Sequence, residues 1–523
     1  MMPQHARPLV FSILIEIAAC GGGHSGSPET GGITGAGTID AGGATIGTGG
    51  TGGTVGHGGG FTVTYDPNGA TAGTVPLDTA AYTDGQTVTV LGNTGNLAYA
   101  GYTFVGWQTK ADGSGKAYAP GDSFTMGAAD LTLYALWAGG YAYTVNHNEG
   151  AEGAISQFVI GPNGALTPMP TPTVDSGGHD TWWVAVDPLG RYLYATNPAA
   201  NNQQGTLTQF TVNQTNGLLS PMSPLTVPFP PGWNSAPLKG VAHPAGPWFY
   251  LINTQPGVGG AVSQFTIGAT GGLTSPSLLM VGQTPGSTAP YAIAIDPTGK
   301  YAYVGATVPG GGGVFQYAVD PAAGTLLPNP SSSNNVVSTP PFTKLGGAQP
   351  WDIKVLQISS GEYAYVSNYD DGTIWEFSVD PANGTLSLLG SFLVAPTGVC
   401  TCEAGGNNIA AEDIALHPSG QYVYVTFSCC SSLQSVAQFT VNQTDGTLSP
   451  MSPPTVLSSG SAASIAVESS GKYAYVTSGD TGFARSAIAQ YTIDQTTGAL
   501  SLMANPTVDT GGVGPSGVVT VGE

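Results

Sequence analysis

Positive charge is scarce in this chain: 10 lysines and arginines stand against 31 aspartates and glutamates in 523 residues, a net charge of −21. A nucleic-acid partner needs clustered Lys and Arg to neutralise its phosphates, so the balance argues against that class. Charge of either sign is scarce, at 8% of residues, while glycine reaches 80. With abundant Thr, Ser and Asn, this composition suits an exported β-protein. Long apolar runs are also missing. The apolar stretch near the start, Leu9 to Ala19, is too short to cross a bilayer as a helix. The length still leaves room for more than one domain and for large cores.

Residues 1–20 read as an export signal, with His5 and Arg7 ahead of the apolar run and Ile17-Ala18-Ala19-Cys20 behind it. That tetrapeptide resembles the bacterial lipobox. The resemblance implies lipidation of Cys20, a membrane partner through that lipid, and a place on the bacterial outer membrane or cell surface. Without lipidation the protein would be secreted or periplasmic. Residues 21–60 are almost wholly Gly, Thr, Ser, Ala and Ile, which cannot bury enough apolar surface to order themselves, so they form a flexible tether. Their glycine strings are not phosphate loops, because no strand precedes them and no helix follows.

Cysteine is rarer still than basic charge, with 5 in the chain. After Cys20 the remaining Cys400, Cys402, Cys429 and Cys430 all fall within one repeat. An even count in an exported chain points to disulfides joining the 400/402 pair to the 429/430 pair in either connectivity. The rival is a four-thiolate metal site, but CxC with an adjacent CC departs from the usual CxxC pairs.

What is plentiful is repetition. A short aromatic strand recurs as YAYTVN, YLYATN, WFYLIN, YAYVGA, YAYVSN, YVYVTF and YAYVTS, anchored on Tyr143, Tyr194, Tyr250, Tyr303, Tyr365, Tyr424 and Tyr475. A β-unit repeated at roughly 50–60 residues means a propeller, here of seven blades. Each unit reads as four strands. Strand a is an apolar run (Val184 to Val186, Ile293 to Ile295, Ile414 to Leu416), followed by a DPxG turn. Strand b is the Tyr-x-Tyr segment, strand c the QFTV segment and strand d the short GTLSP stretch. The first unit starts at strand b, and the chain ends with Val518 to Val521, which resembles a further strand a. The C-terminal strand is therefore expected to complete blade one and close an all-β ring.

Between tether and propeller, residues 61–138 change character. Tyr65, Asp66, Asn68, Gly69, Gly101, Tyr102, Phe104, Gly106, Trp107, Tyr118, Phe124, Met126, Leu133, Tyr134 and Trp137 give this segment its resemblance to the Listeria-Bacteroides repeat of internalin-type surface proteins. That implies a small β-grasp-like module used as a spacer or adhesive unit. Its tryptophans sit in alternating apolar patterns and are expected in the core.

Residues 139–523, through their repeated DPxGxYxYV and QFxVDxxxGxL patterns, resemble the seven-bladed lactonase family with its YVTN-type repeats, which includes 6-phosphogluconolactonase-like and muconate-lactonising proteins. The resemblance specifies architecture better than activity. Chemistry, if present, belongs at the channel mouth where the inner strands begin. Counting back four from each turn gives Trp183, Lys239, Ala292, Asp352, Asp413, Ser464 and Val518; one further back lie Trp182, Leu238, Tyr291, Trp351, Glu412, Ala463 and Gly517. Asp352 and Asp413 stand out as candidate acid and base, with His179 ahead of blade two as a third catalytic candidate. Trp183, Lys239, Tyr291, Trp351 and Glu412 are candidate ligand contacts. No cofactor is expected, although the same carboxylates could hold a divalent cation. An inner-strand Asp can equally cap a loop or pair with Lys239. The family's His-Pro-His pattern is missing, and a phosphorylated sugar would want a cationic cradle that this chain lacks. His243 and His417 replace the Asp of the DPxG turn and are expected to serve the turn.

The expected role is a surface-anchored lipoprotein whose propeller is a binding or interaction platform for a protein or glycan. The alternative is an extracytoplasmic lactone hydrolase working at the channel mouth.

Overall fold

Each repeat pairs its own neighbours in sequence order, because short turns between alternating apolar and polar runs favour antiparallel strands. A computed structural model describes residues 60–523 apart from 148–151, 199–204, 228, 230–235, 256–258, 275, 282–287, 309, 329–335, 339–348, 396–408, 430–432, 459–460, 480–485 and 523. Among the described residues there is no helix. Blade two is representative: strand a Trp183–Val186, b Tyr192–Asn197, c Thr206–Val212 and d Leu219–Val227 form one antiparallel sheet in that order. The expected closure is present. Pro515–Gly522 pairs with Gly140–Asn146, Val518 opposite Thr144, and so becomes strand a of blade one ahead of Glu152–Ile160 and Leu166–His179. The inner strands pack against one another around the whole circle, with Ser461–Val467 of blade seven meeting Pro515–Gly522.

Strand d is longer than the GTLSP motif suggests, running over Leu448–Leu457 in blade six and Leu500–Asp509 in blade seven. Its prolines sit on the outer edge of each sheet, where a missing N–H breaks no ladder bond. Blade four is irregular: Leu326–Pro328 and Val336–Ser338 both pair with strand Gly311–Val319.

Two circles of side-chain bonds explain why the repeat keeps its motifs. The second Tyr of each Tyr-x-Tyr is at most 1% exposed and crosses to the next blade. Tyr143 donates to the Gly217 carbonyl at 2.5 Å, Tyr194 to Gly271 at 2.8 Å, Tyr250 to Gly324 at 2.6 Å, Tyr303 to Gly384 at 2.9 Å, Tyr365 to Gly446 at 2.7 Å and Tyr424 to Gly498 at 2.7 Å. Tyr475 closes the circle onto Gly164 of blade one at 2.8 Å. The QFTV glutamine does the same for strand d: Gln157 accepts the Leu219 N–H at 2.7 Å, and Gln490 accepts that of Leu166 at 2.6 Å. In blade five the position is Glu376, which still accepts the Leu448 N–H at 2.6 Å. Each such bond contributes about 1 kcal/mol in a site that excludes water. The turn histidines join in: His243 accepts two backbone N–H groups on Nδ1, leaving Nε2 to donate to the Gly299 carbonyl of the next blade at 2.8 Å. His417 reaches Gly471 in the same way.

The N-terminal module carries a mixed sheet in which Val63–Asp66 runs parallel to Leu131–Ala138, with Thr103–Gln108 and Ala117–Tyr118 on its other side; Thr87–Thr89 and Ser123–Thr125 form a separate pair. Trp107 and Trp137 are core residues at 0% and 2% exposure, their indole N–H groups donating to the Leu91 and Asn68 carbonyls. The module does not hang from a linker. Leu131–Ala138 passes through one residue into Gly140–Asn146, and Ala117, Leu136 and Ala138 share a core with Tyr141, Tyr143 and Met169 of blade one.

The anchor and disulfide expectations concern Cys20, Cys400, Cys402 and Cys430, which lie outside the described residues, as does the side chain of Cys429 at the end of strand Tyr422–Cys429.

Candidate functional site

The inner strands begin with β-bulges, for example between Pro350 and Asp352 and between Ala411 and Ile414. A bulge re-aims the side chain that follows it and frees a backbone N–H. Strand-b hydroxyls take up those N–H groups: Asp352 N–H donates to Ser367 at 3.1 Å, Asp413 N–H to Thr426 at 2.9 Å and Ser464 N–H to Thr477 at 2.9 Å. The redirected side chains then reach the following blade. Asp352 accepts the Ile414 N–H at 3.1 Å, Asp413 accepts the Ile465 N–H at 3.0 Å and the Ser464 hydroxyl at 2.6 Å, and Ser464 accepts the Val518 N–H at 3.3 Å. The position singled out by counting back from the turn therefore stitches blades five, six, seven and one together.

Superposed on this stitching is a charge cluster. Lys239, on strand Ala236–Ala242 of blade three, is 5% exposed. Its ammonium lies 3.6 Å from Asp352 of blade five and donates to the Trp351 carbonyl at 2.8 Å. The same ammonium lies 4.6 Å from the Trp183 ring centre and 5.6 Å from that of Trp351, so two rings and one carboxylate replace its water. Lys354 sits two residues beyond Asp352 on the same face of strand Pro350–Ile358. It reaches Asp352 at 2.7 Å and Asp413 at 3.8 Å.

Lys354 lies two residues beyond the strand position that counting back from the turn picks out, so that count does not reach it. Two places further along, the other blades carry Ala185, Val241, Ala294, Ala415, Ala466 and Thr520. A lone lysine among small and apolar residues was the available signal.

Burial works against ionising Asp352, but the Lys354 and Lys239 charges outweigh it and hold the carboxyl below its usual range. Burial and the neighbouring Asp352 charge push Asp413 up. The same two carboxylates hold Lys354 in its charged form against the effect of burial. Glu412, which accepts the Ser428 hydroxyl at 2.9 Å, is pushed by burial to about 8. The cluster can thus hold a proton on Glu412 at neutral pH while keeping Asp352 ionised. Among the described residues no three of His, Cys, Asp and Glu are placed to hold a metal ion. A divalent cation at the mouth would have to displace the Lys354 ammonium from Asp352.

The aromatic candidates gather at the same mouth. Tyr291 stacks on Trp351 at 5.8 Å and 18°, and Trp351 meets Tyr369 at 4.8 Å. His179 does not join this group. It is exposed at the end of the outermost strand of blade one, opposite Glu152, and no bond links it to Asp352 or Asp413. The histidine near that side of the mouth is His147, 3.9 Å from Asp180 and edge-on to Trp182 at 5.6 Å.

Comparison with known proteins agrees with this architecture. Among solved structures, a candidate 6-phosphogluconolactonase from Bacteroides fragilis is 18% identical, covering 73% of this chain and 98% of its own, with a TM-score of 0.56. The periplasmic gluconolactonase of Pseudomonas aeruginosa is 17% identical over 73% of this chain and 99% of its own, with a TM-score of 0.57. At such identity the likeness is one of fold. Two Evansella cellulosilytica proteins, named as a membrane protein and a Gly-rich membrane protein, match at 41% over 109 residues and 44% over 82 residues. Those matches span only 14% and 9% of the relatives' lengths. Residues 61–136 match the Listeria-Bacteroides repeat domain. Residues 133–394, just over half of the chain, match the lactonase 7-bladed β-propeller, and with that match and the closed ring of seven blades the chain belongs to the seven-bladed β-propeller lactonase family.

Proposed function

We propose that this protein is a surface-anchored lipoprotein whose propeller mouth binds a ligand with an apolar face and hydroxyl groups, a glycan above all. One observation carries this reading: Asp352 and Asp413 each commit one oxygen to the backbone of the next blade, while their other oxygens face ammoniums, that of Asp352 at 3.6 Å from Lys239 and that of Asp413 at 3.8 Å from Lys354. Carboxylates held in this way are framework, whereas Trp351, Tyr291 and Trp183 supply the flat apolar faces on which a sugar ring stacks. The membrane-protein names of the Evansella relatives support an envelope location.

A glycan panel tested against the full chain should yield a binder whose affinity falls at least tenfold in Trp351→Ala; a panel without binders, or one in which no binder depends on Trp351, refutes the mouth as a glycan site. Cys20→Ala should move the protein from the membrane fraction to the soluble one, and an unchanged fractionation refutes the anchor.

The second reading, lactone hydrolysis, is favoured by the proton held on Glu412 beside the raised carboxyl of Asp413. A protonated carboxyl there could serve as general acid toward a ring oxygen. Turnover on a lactone panel that vanishes in Glu412→Gln, whose amide keeps the Ser428 bond, would establish this reading over the first.

A further inference from the structure

A cavity lies where the N-terminal module meets blade one. It measures about 230 Å³ and is lined from the module by Asn68, Tyr99, Gln108 and Trp137 and from the propeller by Asn163 and Thr167. By volume it would take roughly seven waters or one small molecule.

The two sides are held together closely. Thr167 donates to the Gly113 carbonyl at 2.9 Å, Gly139 N–H donates to the Ile160 carbonyl at 2.8 Å, and a side chain at Gly113 (φ +89°) would begin 2.8 Å from the Thr167 hydroxyl. The wall is therefore part of a shared core and not a loose seam.

The floor carries an unmet demand. Gln108 closes strand Thr103–Gln108 and is 3% exposed, yet its side-chain oxygen has no hydrogen-bond partner. A buried amide oxygen left unpaired costs about 1–3 kcal/mol. Among the described residues of the module Gln108 is the one buried polar side chain other than the aromatics, so an amide lining a cavity points to something that bonds it. Around it, Tyr99 and Trp137 meet edge to face at 5.8 Å and offer an apolar wall, while the Asn163 side chain at the exposed rim adds an amide. No lysine or arginine lines the cavity, and its one carboxylate, Asp112, is already bonded to the Ser114 N–H and hydroxyl.

We propose that this junction cavity binds one neutral sugar ring, its hydroxyls bonded to the Gln108 amide and one face against Tyr99. An anionic ligand finds no counter-charge there, and a purely apolar one would leave Gln108 unpaired. Such a site is built from both domains, so occupancy stiffens the joint between module and propeller. It is independent of the propeller mouth.

The test uses the full chain and titrates glucose, galactose and N-acetylglucosamine, with gluconate as the charged control, by ligand-observed NMR and calorimetry. Wild type should bind at least one neutral sugar in the millimolar range or better and gluconate at least tenfold more weakly. Gln108→Leu and Tyr99→Ala should each weaken the sugar at least fivefold with thermal unfolding preserved, and Trp351→Ala should leave this binding unchanged. If Gln108→Leu does not fold, Tyr99→Ala alone decides. No binding by any sugar, or binding that survives both cavity variants, overturns the proposal and leaves a cavity filled with water only; binding lost in Trp351→Ala instead assigns the sugar to the mouth.

Discussion

The outer and inner circles of the propeller obey opposite rules. Outside, the same bond recurs in every blade: a buried Tyr hydroxyl to the next blade's Gly carbonyl, and a strand-c Gln, or Glu376 once, to the next blade's Leu N–H. Inside, the equivalent residues are Trp183, Lys239, Ala292, Asp352, Asp413, Ser464 and Val518, seven different environments at one geometric place. Sameness around the ring is what closure demands, since each blade must fit its neighbour in the same way. Where that demand lapses, the chain has gathered aromatic rings and a buried lysine, Lys239, with two buried carboxylates, Asp352 and Asp413.

The largest effect should come from breaking the inner circle. Asp352→Ala strands the Lys239 ammonium, leaves Lys354 with Asp413 alone and removes the acceptor of Ile414 N–H. Uncompensated buried charge typically costs about 3–5 kcal/mol. Asp352→Asn, which keeps the acceptor, should recover part of it; chemical denaturation of the two variants measures the split, and equal losses would mean that charge alone matters.

A somewhat smaller effect is expected in the outer circle. Gly446 has φ +73°, and an added Cβ would lie 2.2 Å from the Tyr363 ring. Gly446→Ala should therefore lose about 2–4 kcal/mol from strain and overpacking. Gly271→Ala, at φ +87° and 2.2 Å from Tyr192, should lose a similar amount three blades away on the other side of the ring. Equal losses support interchangeable blades, and a twofold disparity in denaturation midpoints would show that the outer circle is less uniform than its bonds.

The contrast also explains what could be read from the chain. Seven blades and their closure were legible because Tyr-x-Tyr and QFTV each mark a bond that the ring needs in every unit, so the signal is repeated. The mouth was located by the same alignment, but its chemistry was not. Asp352 and Asp413 look catalytic in a string of letters, and only the bulges at Pro350 and Ala411 show their oxygens turned onto the next blade's backbone. His179 looked near because it precedes blade two, whereas the long strand Leu166–His179 carries it to the sheet's outer edge. The docking of the module on blade one has no periodic trace at all, since it rests on single contacts such as Thr167 with Gly113.

The smallest expected effect is the most diagnostic of the inner circle. Burial raises the Glu412 carboxyl from 4.5 to about 8, so the folded protein holds this proton more tightly than the unfolded chain does. The sign follows from linkage: the contribution is fully present below about pH 4.5, falls as the unfolded chain ionises, and is exhausted above about pH 8. Glu412→Gln has no proton to lose and keeps an oxygen for the Ser428 hydroxyl. The variant should match wild type near pH 4.5 and unfold about 2–4 °C higher at pH 8, since solvent screening of this half-buried group trims the full linkage. Melting curves of both proteins across that range measure the gap. A constant difference at every pH would mean that Glu412 is ionised throughout, and with it would go the proton that the lactone-hydrolysis reading requires.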